Sequence, residues 1–306
     1  MSQNIPTWYI QQYTTNVQML VQQMRSRFRD YVTEYPLVGA SAAVVDQVAP
    51  ISMSPVVGRF GPLGRVDATF DRRWVFPQDF ELPQLIDNFD KLRLLVEPQS
   101  IYVQNAVAAY NRQVDDLIIP AFFGVAQTGV TGATATSFPS TTYPTAGAQT
   151  VSVNTGGTAS NMNVAKLKQA YEILLANEVD LENDMICCAI TAKMNTALMK
   201  EIEIINRDYS GIQSAPTVNN GFVTQYNGIH FIHTERLQTG TDDAAGTSTA
   251  VPMWVKSGMA LGLWNDLETD VRQRGDLTGL PWQVYVKLTA NATRKEEKKV
   301  VRIWAR

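Results

Sequence analysis

Residues 87–124 read DNFDKLRLLVEPQSIYVQNAVAAYNRQVDDLIIPAFFG, and their pattern decides how the rest of the chain is organised. A charged approach passes Glu97-Pro98 and becomes a run with Val103, Val107, Tyr110, Val114, Leu117, Ile118 and Ala121 at three- and four-residue spacing. That spacing lays one apolar stripe along an α-helix. Pro98 suits a first helical turn, where its missing N–H costs nothing. Pro120 would lose a hydrogen bond and crowd the preceding turn, so a kink or an end is expected just before it. A helix of about 22 residues is about 33 Å long, the width of a small domain. It predicts a spine for the fold.

Upstream, Tyr13, Val17, Leu20, Met24, Phe28 and Tyr31 repeat at helical spacing, with glutamines opposite. A helix over residues 7–32 follows, with Asn4 or Thr7 as cap and Pro36 beyond its end. Rich in Thr and β-branched residues, it is marginal without a packing surface. It either docks on its own domain or lies as an arm on a neighbouring subunit. Next, residues 42–85 read as β structure around the turn-rich GRFGPLG. In the second half Asp67, Asp71, Arg72, Arg73, Asp79 and Glu81 interleave with Phe70, Trp74, Phe76 and Phe80. This alternation predicts a strand with one covered face and one wet face. Two strands alone need a further surface. They form a long hairpin over a neighbour or an ordinary edge hairpin.

Downstream of the spine, residues 126–162 contain no charged residue and are dominated by Ser, Thr, Gly and Ala. They read as loop or short edge strands, in a surface loop ordered by contact between subunits. A second helix starts after Asn163, with Val164, Leu167, Tyr171, Leu174 and Leu175 on one stripe. The run from Met185 to Ile190 predicts a buried strand, and a helix over residues 192–205 carries Met194, Leu198, Ile202 and Ile205. Asn219-Asn220-Gly221 and Asn227-Gly228 supply the positive φ of tight hairpin turns. Thr239 to Ala250 read as a polar loop. Further strands follow, ending in VVRIWAR, where Val300, Arg302 and Trp304 alternate with Val301, Ile303 and Ala305.

At 306 residues the chain is long enough for two subdomains. Its 18% charged residues fall below the usual quarter or so for a soluble domain, which suits a surface covered by partners. A net charge of −3 gives no footprint for nucleic-acid binding through phosphates. Cys187 and Cys188 are adjacent, and neighbours on a strand face opposite ways, so free buried thiols in a reducing compartment are expected. The start MSQNIPTWYIQQY lacks the pattern of a signal peptide, and no apolar run has membrane-spanning length.

Catalytic patterns are thin. His230 and His233 would face opposite sides of a strand and could not share a metal. No zinc spacing, phosphate-binding glycine loop or G-x-S-x-G elbow occurs. The carboxylates Asp87, Asp90, Asp115 and Asp116 could be gathered into a site. Helical spacing instead pairs Arg112 with Asp116 on the surface, and leaves Asp87 and Asp90 to Arg72, Arg73 or Arg93. Asn291-Ala-Thr293 is a chance sequon without a secretory route. No catalytic residue, metal or cofactor is expected.

One combination carries a family resemblance: Asp87, Asp90-Lys91-Leu92-Arg93, Glu97-Pro98-x-Ser100-x-Tyr102, Arg112-x-x-Asp115-Asp116 and Gly124. It resembles the string that leads into the spine helix in major capsid proteins of tailed bacteriophages. The hairpin G-F-V-x-x-Y-x-G-I-x-F-I, from Gly221 to Ile232, is similar to the axial domain of that family. The resemblance implies the α+β Hong Kong 97-like fold. Its parts would be an N-terminal arm (1–45), an extended hairpin loop (46–90), a peripheral domain with the spine helix (91–183), an axial domain (184–265) and return strands of the peripheral domain (266–306). It implies a non-enzymatic subunit that forms homo-hexamers and homo-pentamers of an icosahedral shell around a double-stranded DNA phage genome. Partners would be the chain itself, a portal, scaffold or decoration proteins, and packaged DNA by non-specific proximity, with no membrane. The protein would be made in the host bacterial cytoplasm and reside in the virion. Contacts between subunits are expected at Val17, Leu20, Met24, Phe28, Arg72, Arg73, Trp74, Phe76, Asp79, Asp87, Asp90 and Arg93. An encapsulin-like compartment or a gene-transfer-agent capsid shares the fold, and an α+β hydrolase or binding module is the alternative from another class.

Overall fold

The computed structural model describes residues 22–39, 42–55, 58, 64–86, 99–145, 147–156, 159–201, 204, 217–240 and 246–306. In chain order the strands are β1 (Thr33–Pro36), β2 (Ala42–Val48), β3 (Phe70–Val75), β4 (Asp79–Ile86), β5 (Ala126–Thr128), β6 (Thr134–Thr136), β7 (Thr150–Val151) and β8 (Ile186–Ile190). They continue as β9 (Thr217–Asn219), β10 (Phe222–Tyr226), β11 (Ile229–His233), β12 (Thr239–Gly240), β13 (Ser248–Val255), β14 (Met259–Gln273), β15 (Trp282–Arg294) and β16 (Val300–Ala305). The helices are α1 (Gln99–Phe123), α2 (Val164–Ala176) and α3 (Ala192–Leu198). The chain forms two compact units, one of Met1–Ser26, Asp79–Gln113 and Asn265–Thr289, the other of Arg27–Gln78, Val114–Trp264 and Ala290–Arg306. Helix α1 and strands β14 and β15 contribute residues to both.

The spine is present and longer than its sequence suggests. Helix α1 has 25 residues, about 37 Å at 1.5 Å per residue. Pro120 does not end it: the helix runs three residues further, to Phe123. Proline this late removes only one bond to the preceding turn, and its ring is exposed. The end comes at Gly124, whose N–H closes on the Pro120 carbonyl at 2.8 Å. Of the expected stripe, Tyr110, Val114, Leu117 and Ile118 are buried, while Val103, Val107 and Ala121 are half-buried. Ala106, Ala108, Asp115 and Phe122 are fully buried beside them, so the helix is covered on more than one side.

In the first unit, β4 lies antiparallel to β15 with Asp79 opposite Thr289 and Ile86 opposite Trp282. Phe80, Leu82, Val286 and Leu288 share a 160 Å³ hollow with Ala106, Ala109 and Tyr110 of α1. The larger unit is built on a sheet ordered β7-β16-β13-β8-β11-β10-β9. Strand β8 is buried at all five residues, as its apolar run predicts. The turns at Asn220-Gly221 (φ 50° and 77°) and Asn227-Gly228 (φ 49° and 77°) take the left-handed backbone that Asn-Gly pairs favour. Asn163 caps α2, its side chain accepting the Lys166 N–H at 2.8 Å. Val164, Leu167 and Leu174 are buried as expected, whereas Leu175 is exposed. Lys166 is buried too, its Nζ donating to the carbonyls of Ser160 (2.6 Å) and Trp304 (2.8 Å).

Several sequence expectations are corrected. The helix expected to reach residue 32 does not: residues 22–28 carry no helix, Arg29–Tyr31 form one 3-10 turn, and the chain then enters β1. Residues 66–82 are two strands, not one. Strand β3 pairs with β2 and β5, whereas β4 pairs with β15, and Phe76-Pro77-Gln78 separates them. The uncharged stretch 126–162 does contain short strands, but it is not a loop waiting on a neighbour. Phe138, Gln149, Thr150, Val151, Val153 and Met162 are buried within the chain's own larger unit. Helix α3 stops at Leu198, with Ile202 and Ile205 outside the described residues. The expected polar loop from Thr239 begins as β12 and re-enters strand at Ser248. The final strand β16 pairs with β13 and β7, inside the large sheet.

Candidate assembly surfaces

The register of β2 on β3 places Asp46 opposite Arg72 and Val48 opposite Phe70. Directly opposed residues share a face, so these four and Trp74 lie together. Arg72 Nη2 donates to Asp46 at 3.0 Å, Nε donates to the other oxygen, and the guanidinium sits 5.6 Å from the Trp74 ring centroid. The hydrogen bond from Arg72 holds the Asp46 carboxyl below the usual range, against the opposing effect of desolvation. Trp74 is oriented from below, its Nε1 donating to the Gly129 carbonyl at 2.7 Å. Gly132 makes room: its φ is +75°, and an added Cβ would lie 2.9 Å from Trp74 Cγ. Phe70 is 77% exposed and Phe76 40%. The face that carries Phe70, Trp74 and Phe76 is therefore the more open one, and the face of Arg73 and Val75 the covered one. Val48, opposite Phe70, is also exposed, as are Ile51, Met53 and Val66 on the segments that follow β2 and precede β3.

The opposite face is closed by charge. Arg73 is buried, and its Nη1 and Nη2 donate to the two oxygens of Glu297 at 3.0 and 2.7 Å. This fork-to-fork geometry is the strong form of the pair. Arg294 approaches the same carboxylate at 3.4 Å, while its Nη1 donates to the carbonyls of Phe122 and Gly124, each at 2.9 Å. Those carbonyls end α1, where backbone acceptors lack helical partners. Gln47 Nε2 adds a bond to the Lys295 carbonyl at 2.7 Å. Arg73 thus finds its partner inside the chain, as does Arg72, and neither needs the aspartates of residues 87–93.

The segment after residue 21 is fastened to the spine. In the first unit Gln22 donates to Asn105 (3.1 Å), Arg112 donates to the Gln22 side chain (2.6 Å) and the Gln23 carbonyl (3.2 Å), and Asn111 donates to the Met24 carbonyl (2.8 Å). In the larger unit Asp115 accepts the backbone N–H groups of Arg27 (2.9 Å) and Phe28 (3.2 Å). Phe28 is fully buried, with ring centroids 6.0 Å from Phe122 and 5.7 Å from Trp254. The expected Arg112–Asp116 pair is not made. Asp116 instead accepts from Arg236, with Nε at 2.7 Å. Of the other expected contact residues, Met24 is exposed and Asp79 accepts from Thr289 Oγ1 at 2.7 Å. Val17, Leu20, Asp87, Asp90 and Arg93 lie outside the described residues.

Asp46, Arg294 and Glu297 were not singled out from sequence, and Asp115 was named there only among carboxylates that could form a site and in the family string, not as a buried anchor. Asp115 alone carried a signal: it lies three, four and seven residues before Ile118, Ile119 and Phe122, so it shares their buried stripe. His233 Nε2 lies 3.0 Å from Glu235, and among the described residues no cluster of His, Cys, Asp or Glu could hold a metal. Cys187 and Cys188 are free and buried. Burial pushes the Cys187 thiol up to about 12 and Cys188 higher still. Among the described residues no helix is long and apolar enough to cross a membrane.

Exposed aromatic and aliphatic residues on a hairpin, with buried charges that among the described residues pair within the chain, suit a structural protein. The whole fold has known counterparts. The cyanophage Pam1 capsid superposes with a TM-score of 0.72 at 13% identity, covering 99% of this chain and 98% of that one. The capsid of cyanophage P-SCSP1u gives 0.71 at 16% identity, covering 98% and 93%. The capsid of a native gene-transfer-agent particle gives 0.65 at 10% identity, covering 96% and 94%. No curated protein sequence matches the chain. The chain belongs to the phage capsid protein family, which matches residues 5–305. It is a major capsid protein with the α+β Hong Kong 97-like fold, a structural component of a virion and not an enzyme.

Proposed function

We propose that copies of this chain assemble as hexamers and pentamers into an icosahedral shell that encloses a double-stranded DNA phage genome. The observation that carries this reading is the exposed pair Val48 and Phe70 on the face of Arg72 and Trp74, with Ile51, Met53 and Val66 exposed on the adjoining segments of the chain. An apolar surface of this kind marks a protein interaction site. Heterologous contacts repeated around a ring close into five- or six-fold groups with small rotations. In this reading residues 1–45 act as an arm, 46–90 as an extended hairpin, 91–183 and 266–306 as a peripheral domain and 184–265 as an axial domain. Val17, Leu20, Met24, Arg72, Trp74, Phe76, Asp79, Asp87, Asp90 and Arg93 face neighbours, while Phe28 and Arg73 fix the roots of the arm and the hairpin. A portal, scaffold or decoration proteins and packaged DNA complete the particle, with synthesis in the host bacterial cytoplasm. A net charge of −3 suits a wall to which DNA must not adhere. Negative-stain microscopy of the expressed protein tests the reading. Closed shells or capsomer rings are expected, and a chain that stays monomeric at high concentration would overturn it.

A further inference from the structure

Exposed strand edges are templates for pairing with another chain, and proteins usually blunt them by shortness, charge or proline. The three sheet paths of the described residues end in six edge strands, β1, β2, β4, β6, β7 and β9, and the two-residue β12 lies off these paths, paired only with β13. Four of these, β1, β6, β7 and β9, have only two to four residues. The long ones are β4, with eight residues, and β2, with seven.

The ladders show which backbone groups of the two long edges point outward. Along an antiparallel pair, hydrogen-bonded and non-hydrogen-bonded positions alternate. The Ala290 N–H donates to the Gln78 carbonyl (3.1 Å), which makes residues 80, 82, 84 and 86 the bonded positions of β4 in the same register. Asp79, Glu81, Pro83 and Leu85 therefore turn their backbone outward. Pro83 removes an outward donor without disturbing the ladder to β15, and the carboxylates Asp79 and Glu81 precede it along the same edge. That edge is guarded.

The same reasoning gives the opposite result for β2. The Ala49 N–H donates to the Thr69 carbonyl (2.8 Å), so Val45 and Gln47 are the bonded positions opposite Arg73 and Asp71. Asp46 and Val48 turn their N–H and C=O groups outward. Past the register shift between Ala43 and Val45 the ladder is regular. It contains no proline, and its one charge, Asp46, is held by Arg72. Among the described residues no strand pairs with this side. The neighbouring 295–298 turn covers a face instead, through Gln47 and Arg73. The open edge also continues into the exposed Val48, Ile51 and Met53.

We propose that the outer edge of β2, at Asp46 and Val48, accepts an extended strand from a second copy of this chain. This rests on the shell reading, because only repeated copies place the same strand beside every β2 at high local concentration. Strand addition gains affinity from main-chain hydrogen bonds, and the flanking apolar side chains supply specificity.

Residue-resolved hydrogen exchange on free subunits and on assembled particles tests it. The Asp46 and Val48 amides should exchange rapidly in the subunit and slow by at least about tenfold in the particle, while Val45 and Gln47 stay protected in both. Val48→Pro should leave a folded subunit by circular dichroism yet lose particle yield, and Val48→Ala should assemble. Particles whose Asp46 and Val48 amides exchange as fast as in the subunit, or normal assembly of Val48→Pro, would overturn the proposal alone. A chain that forms no particles would overturn the shell reading with it.

Discussion

The Phe28 backbone N–H donates to Asp115 at 3.2 Å, and the Arg27 N–H reaches both oxygens of the same carboxylate. A fully buried acid on the spine thus serves as the acceptor for two backbone donors that no helix or strand satisfies. The Phe28 ring, locked beside Phe122 and Trp254, depends on that anchor for its position. Arg27 and Phe28 open the larger unit, and this carboxylate fixes them there.

Removing the acceptor should be costly. Asp115→Ala leaves the buried Phe28 donor unpaired, at about 1–3 kcal/mol, and the part-buried Arg27 donor at a smaller cost. Phe28→Ala should cost about 3–5 kcal/mol by opening a cavity. Deleting residues 1–21 spares both groups and should leave the subunit's unfolding midpoint nearly unchanged. Denaturant melts of the three variants check this, and a truncated chain as unstable as Phe28→Ala would show that the anchor lies further upstream.

Glu297 joins Arg73 and Arg294, both buried. Glu297→Ala strands two cations, and breaking a buried pair costs about 3–5 kcal/mol. The lower end applies, since the Glu297 side chain keeps 19% of its exposure. Adding Arg73→Met should recover part of the loss, because one stranded charge is removed, but Arg294 remains. A double-mutant cycle measures the coupling; strict additivity of the two substitutions would refute the shared site.

On the opposite face, Arg72→Glu places like charges against Asp46 at an exposed position. The subunit should keep its fold, because the pair is solvent-screened, while particle assembly should fall. Electron microscopy and circular dichroism together decide it. Reversing Arg73 as well would confuse the test, since that residue supports the core.

The thiols predict an alkaline limit. Burial raises the folded-state value of Cys187 to about 12, against about 8.5 for a free thiol. A group raised on folding contributes its full stability below the unfolded value and loses it as pH climbs past that value, because only the unfolded thiol ionises. Stability should therefore fall above about pH 8.5, and Cys187→Ser or Cys188→Ser should flatten that slope. Thiol reagents at pH 8 should modify neither cysteine until the subunit is denatured, and rapid labelling of the native protein would contradict the burial.

Much of the fold was legible because its signals are local. The spine stripe, the Asn163 cap, the apolar run at β8 and both Asn-Gly turns each depend on residues within a few positions of one another. What failed was decided at long range. Alternation between residues 66 and 82 marks two faces but cannot say which is covered. Only Glu297, over two hundred residues away, turns Arg73 inward and leaves Trp74 half open. Likewise, the uncharged residues 126–162 look like surface loop until Phe138 is seen between the guanidinium groups of Arg294 and Arg302, each 5.2 Å from its ring centroid. Contact residues on a capsid subunit carry no spacing rule of their own, so those sites could be named only through resemblance.

The Arg294 side chain that closes the end of α1 lies 170–173 residues downstream of the carbonyls it serves. Ribosomes add about 5–20 residues per second, so on the order of ten to thirty-five seconds separate the two ends of that contact during synthesis. Strand β16 arrives later still, and it sits between β7 and β13 rather than at a sheet margin. A nascent chain cut short before residue 294 therefore has an uncapped spine and a gap within its largest sheet. The order of translation thus withholds the closed spine end and the continuous sheet until residues 294–305 have been made.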